Sequence, residues 1–85
     1  MRGIALVWDW ENHSDLTNSL ALKGYRVLGV IDDREAAETI RRHRPELIVH
    51  RSERTSAVAS MIRTATPVGE SYRPRVNTAQ GVRGE

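Results

Sequence analysis

The chain contains no cysteine. That absence removes disulfides and thiolate metal sites together. Small secreted domains usually depend on such staples, so a cytoplasmic setting is expected. Phenylalanine is also absent, and the aromatic residues are Trp8, Trp10, Tyr25 and Tyr72 alone. The core must therefore be aliphatic, built from Ile, Leu, Val and Ala. No apolar run approaches the length that crosses a bilayer, and no contact with a membrane is expected. Met1-Arg2-Gly3 leads straight into a short strand pattern rather than a signal peptide. Gly3, Gly24 and Gly29 lack the spacing of a phosphate-binding loop, and no Ser, His and Asp follow one another in a nucleophilic order. No cofactor is expected on these grounds. Lysine is nearly absent as well: of 13 basic residues only Lys23 is not arginine. Base composition alone can produce such a bias, so the arginines by themselves specify little.

What is present fits one small domain. A chain of 85 residues buries only about 60% of its unfolded surface, which leaves stability marginal without a partner. The formal charge is +2, but it is unevenly placed. Residues 1–40 carry four basic and seven acidic groups, a net of −3; residues 41–85 carry nine and four, a net of +5. Such polarity can steer an anionic partner toward the second half.

The clearest pattern runs from Gly24 to Val49, GYRVLGVIDDREAAETIRRHRPELIV. Val27, Leu28, Val30 and Ile31 form a strand-length apolar run without clean alternation, as a strand covered on both faces should. Asp32 and Asp33 are good helix N-caps, and Glu35 adds negative charge to the first turn. Ala36, Ala37 and Ile40 make a narrow apolar stripe. Arg41, Arg42, His43 and Arg44 close the helix, and Pro45 stops it. Leu47, Ile48 and Val49 begin the next strand. Two strands joined through such a helix imply a right-handed crossover and parallel pairing.

Around this unit lie a first strand over Ile4 to Val7, reaching at most Trp8, and a loop from Asp9 to His13. Ser14 or Asp15 caps a first helix with Leu16, Leu20 and Leu22, and Gly24 stands at its C-cap. Ser52 or Thr55 opens a third helix carrying Val58, Met61, Ile62 and Ala65. Thr66-Pro67-Val68 reads as a short fourth strand, at an edge because of the proline. Residues 1–69 thus form one α/β domain, and 70–85 read as a polar tail that is flexible unless Tyr72, Val76 and Val82 fold it back. The fold class is a small three-layer α/β protein, β-α-β-α-β-α with a short fourth strand. Its parallel sheet should be flavodoxin-like, in the order 2-1-3-4. The loops after the first three strands then meet: Asp9-Trp10-Glu11-Asn12, Asp32-Asp33 and His50-Arg51-Ser52.

The Gly24–Val49 stretch resembles the pattern GYEV…(D)GEEALELLREHRPDLIL of response-regulator receiver domains, with the same spacing from glycine to proline. Thr66-Pro67-Val68 is similar to the family's entry into its fourth strand. The resemblance covers about 65 of the 85 residues. It implies a receiver-like scaffold. The family's phospho-accepting aspartate falls at Arg51, after His50, and its adjacent acidic pair is reduced to Asp9 beside a tryptophan. The resemblance therefore implies a pseudo-receiver and no phosphotransfer. Locally, Val7-Trp8-Asp9-Trp10-Glu11-Asn12 resembles the first strand and acidic loop of NYN-type (PIN-like) ribonucleases, where the Asp helps bind a catalytic metal.

Asp9, Glu11, Asp32 and Asp33 are the candidate ligands of a Mg²⁺ or Mn²⁺ ion, with His13 a further donor. The plainer account makes Asp32 and Asp33 helix caps and leaves Glu11 in solvent. Arg41, Arg42 and Arg44, with Arg51 and Arg54, are candidates for a nucleic-acid or protein contact. Against this, cations near a helix C-terminus complement its dipole, and Glu38 can pair with Arg41 or Arg42. Trp8 is expected in the core and Trp10 at a partner surface. The expectation is a non-enzymatic interaction module that binds a protein partner or itself. A two-fold homodimer would cover aliphatic sheet surface left bare near Ile48 and Val68. The alternative is a nucleic-acid-associated protein, either an arginine-patch binder or a reduced metal-dependent nuclease.

Overall fold

Local sequence preferences place nearly every element where the chain then folds it. In the computed structural model, which describes residues 3–78, the strands are β1 (Gly3–Trp8), β2 (Tyr25–Val30), β3 (Leu47–His50) and β4 (Arg75–Thr78). The helices are α1 (Ser14–Leu22), α2 (Asp33–His43) and α3 (Thr55–Ala65). Short 3-10 turns at Trp10–Asn12 and Ser52–Arg54 lead into α1 and α3. All strands are parallel, in the order β2-β1-β3-β4. This is the expected flavodoxin-like α/β arrangement. No helix among the described residues is long and apolar enough to cross a membrane.

The pleat sorts side chains onto two faces. Leu6, Trp8, Val30 and Ile48 pack on one face with Ala36 and Ile40 of α2 and Val58 and Ala65 of α3. Ala5, Val7, Leu47 and Val49 pack on the other with Leu20 of α1. Central strands β1, from Ala5 to Trp8, and β3 are buried throughout, whereas β2, expected to be covered on both faces, is an edge strand in which only Val30 is buried and beyond which Ile31 is exposed. The helix ends follow capping chemistry only in part. Asp32 caps α2, its Oδ1 accepting from the Glu35 N–H at 2.8 Å, while Glu35 Oε1 accepts from the Ile31 N–H. In α1 the cap position falls to His13, not Ser14 or Asp15, and no side chain bonds there.

The fourth strand differs from expectation. Thr66-Pro67-Val68 is not a strand: the Thr66 hydroxyl donates back to the Ile62 carbonyl, and the Glu70 N–H closes a turn on the Pro67 carbonyl. Proline has no N–H to offer a ladder. The strand forms instead at Arg75–Thr78, inside the segment read as a tail. The Arg75 N–H bonds the Glu46 carbonyl, and the Tyr72 hydroxyl donates to the Pro45 carbonyl at 2.7 Å. Backbone pairing with β3 and one tyrosine anchor hold it, while its own side chains are all exposed. Residues 79–85, including Val82, lie outside the described residues.

The bare sheet surface expected near Ile48 and Val68 is not found. Ile48 is fully buried under α2 and α3. Leu47 and Val49 are buried in the cluster that contains Leu20. Val68 is exposed, but in the turn after α3 rather than on the sheet. The apolar-face argument for a two-fold dimer therefore loses its ground.

Candidate functional site

Parallel strands and returning helices put every helix N-terminus at the carboxyl end of the sheet. At that end β1 lies between β2 and β3, so the connections leaving β1 and β3 diverge to opposite faces. Asp9 follows β1 directly. Its backbone is left-handed, with φ 65°, a conformation that aspartate tolerates better than most residues. The Asp9 N–H donates to the Val30 carbonyl at 2.7 Å and ties the end of β1 to β2.

Arg54, from the turn before α3, fills the space beside Asp9. Its guanidinium lies 4.4 Å from the centroid of the Trp8 ring. Nη1 donates to Asp33 Oδ1 at 2.8 Å, and Nε stands 3.7 Å from Asp9 Oδ2. One arginine thus joins the loops after β1 and β2 to the start of α3, stacked on a fully buried tryptophan. The Asp9 contact is an ion pair without a direct hydrogen bond, and Arg54 Nε and Trp8 Nε1 are both buried without a hydrogen-bond partner. Beside them His50 is buried, its Nδ1 2.7 Å from the Arg51 carbonyl oxygen.

The candidate metal ligands are not assembled into a set. Asp32 caps α2, Asp9 and Asp33 engage Arg54, and Glu11 is exposed in its 3-10 turn. His13 occupies the α1 cap position with Nε2 buried and unpartnered. Among the described residues no three acidic or histidine side chains lie close enough to hold an ion. Trp10 sits on Gly29 of β2, where a Cβ would collide with its side chain, and it stays 44% exposed. Ile31, two residues beyond Gly29, is 48% exposed.

The arginines fall at two ends rather than in one patch. Arg41, Arg42 and Arg44 close α2 and so lie at the amino end of the strands, whereas Arg51 and Arg54 follow β3 at the carboxyl end. Each is also paired. Glu38 takes Arg41 at 2.8 Å and Arg42 at 3.0 Å, Arg44 meets Glu70 at 3.0 Å, and Arg51 meets Glu53 at 3.3 Å. The hydrogen bond from Arg41, then its charge and that of Arg42, hold the Glu38 carboxyl below its ordinary range. A groove of about 280 Å³ between α2 and α3, lined by Arg34, Arg41, Met61 and Thr64 among others, carries no convergent set of buried polar groups.

Topology turns the uneven charge of the chain into a polar axis. Among the described residues, at the carboxyl end stand Asp9, Glu11 and Asp15 near α1, Asp32, Asp33 and Glu35 at α2, and Glu53 before α3, against Arg34, Arg51 and Arg54, a net of −4. Toward the amino end stand Lys23, Arg26, Arg41, Arg42, Arg44, Arg63, Arg73 and Arg75 against Glu38, Glu46 and Glu70, a net of +5. Sequence reading found the two halves but not the axis, which exists only because the helices return.

No family model, curated protein or solved structure matches the chain. The fold and this end of the sheet define a small flavodoxin-like α/β protein, and function rests on its own residues.

Proposed function

We propose that the chain is a non-enzymatic binding module on a receiver-like scaffold, acting in the cytoplasm on a protein partner. The observation that carries the reading is Arg54. A cation of the chain itself occupies the place between Asp9 and Asp33 where a divalent ion would have to sit. An arginine held by two carboxylates and an indole face competes with metal for the same oxygens. Arg51, at the position of the family's acceptor aspartate, adds a second cation where phosphotransfer needs a carboxylate. The absence of cysteine favours the reducing compartment. The second reading, a nucleic-acid-associated protein, draws on the basic amino end, but the arginines named for it there are already paired with Glu38 and Glu70.

The test is chemical. Acetyl phosphate or beryllofluoride with Mg²⁺ is expected to leave the mass and the tryptophan emission unchanged, and Mn²⁺ is expected neither to raise the melting temperature nor to promote cleavage of single-stranded RNA. A phospho-adduct on any aspartate, or RNA cleavage lost in Asp9→Asn, overturns the reading.

A further inference from the structure

We infer that the partner includes a second copy of this chain, docked head to tail: the acidic carboxyl end of one copy against the basic amino end of the next. The inference rests on the binding-module reading and names its partner and surfaces. Charge complementarity comes first. Among the described residues the two ends carry −4 and +5 on opposite sides of one sheet. The helix dipoles oppose this polarity, but each is worth only about half a charge at its terminus, so three helices reduce it without cancelling it.

Exposed apolar side chains follow the same axis. Of the five large ones among the described residues, Trp10 and Ile31 lie at the acidic end, and Leu22 and Val68 lie at the basic end, after α1 and α3 return. The fifth, Val76, lies on the edge strand. Each end thus offers apolar anchors inside a rim of one sign, the composition of a contact in which charge steers and apolar burial holds. A two-fold contact through either end would set like charges together. A head-to-tail contact pairs unlike surfaces, leaves one free end of each kind, and so grows into rings or open chains. Exposed charge pairs contribute little individually, so the contact should be weak and sensitive to salt.

Sedimentation velocity on the full chain, nuclease-treated, tests this. At low salt the average mass should rise above 9.6 kDa with concentration, and it should return to the monomer value in about 0.5 M salt, where screening is short-ranged. Two variants that spare the Arg54 bridge separate the ends: Glu11→Lys/Asp15→Lys for the acidic one, Lys23→Glu/Arg63→Glu for the basic one. Each alone should stay monomeric with unchanged circular dichroism. Their equimolar mixture has one working junction and should stop at a 1:1 dimer. Trp10→Ala, which changes no charge, should weaken assembly of the otherwise unaltered chain about tenfold. A monomer at all concentrations, a mixture that grows past the dimer, or assembly abolished by nuclease treatment would sink self-docking. The first of these with inertness to beryllofluoride leaves the binding-module reading standing for another partner. Assembly together with a phospho-adduct removes that reading and leaves the docking.

Discussion

Arg54 and Tyr72 both connect parts of the chain distant in sequence. Arg54 reaches Asp9 and Asp33 and covers Trp8. Replacing it with Ala removes a cation–π contact and two ion pairs, and it leaves two carboxylates without their shared cation. Part-exposed contacts of this kind are worth about 0.5–1 kcal/mol each, so Arg54→Ala should cost about 1–2 kcal/mol in chemical denaturation. It should also shift Trp8 emission, while Arg54→Met, which keeps the packing stem, should recover part of the stability. No loss in either variant would mean that the bridge is decorative. Tyr72 donates to the Pro45 carbonyl, and burial raises its phenol from the ordinary 10.0 to about 12. The folded state therefore favours the neutral phenol. Its contribution is complete below pH 10 and is lost as pH rises through about 12. Tyr72→Phe should cost about 1 kcal/mol near neutrality through the lost hydrogen bond. Wild type should then lose more stability than the variant between pH 10 and 12, and tyrosinate absorbance would assign the step. Parallel alkaline curves for the two proteins would contradict the assignment.

Among the elements, β4 is the least self-sufficient. Its side chains are exposed, and its ladder with β3, its register and the Tyr72 anchor are what place it. Removing residues 70–85 would strip the ladder from Leu47–His50 and leave β3 as a bare, apolar edge. Such edges invite pairing between molecules. The truncated chain should therefore aggregate or unfold well below the wild-type melting temperature. An equally stable, monomeric truncation would show that β4 adds nothing to the fold. The elements that sequence reading located well, β2, α2 and β3, share a trait that β4 lacks. Their signals are local: a β-branched run, an aspartate cap answered by Glu35, a cationic last turn and Pro45. The sequence RVNT carries only one apolar residue, because an edge strand paired on one side needs no buried face of its own. Thr66-Pro67-Val68 carries as many β-branched residues as β4, yet it makes a turn, because Pro67 has no N–H for a ladder and its carbonyl closes on the Glu70 N–H.

At the scale of the molecule, the same return of every helix aligns charge with structure. Acidic residues favour helix starts and arginines favour helix ends for electrostatic reasons. In a parallel sheet all starts share one end and all stops share the other. The acidic start of α1, both ends of α2 and the basic last turn of α3 thereby add up to a single polar axis. That axis gives the molecule two unlike surfaces, and it is the basis of the head-to-tail docking we propose.

The order of periodic patterns in the sequence by itself determined the fold class, the parallel sheet and its order, and most of the aliphatic core. Those features follow from backbone hydrogen bonding and apolar burial, which are written at short range in the chain. Only the tertiary structure decided which charges meet. Arg54 lies 21 residues from Asp33, and nothing local in Ser52-Glu53-Arg54-Thr55 marks it as the cation between two loops. The separation of Arg41 and Arg42 from Arg51, the burial of Ile48 and the place of β4 were decided in the same way. Contacts between side chains far apart in sequence depend on how the layers close, and no spacing along the chain encodes that.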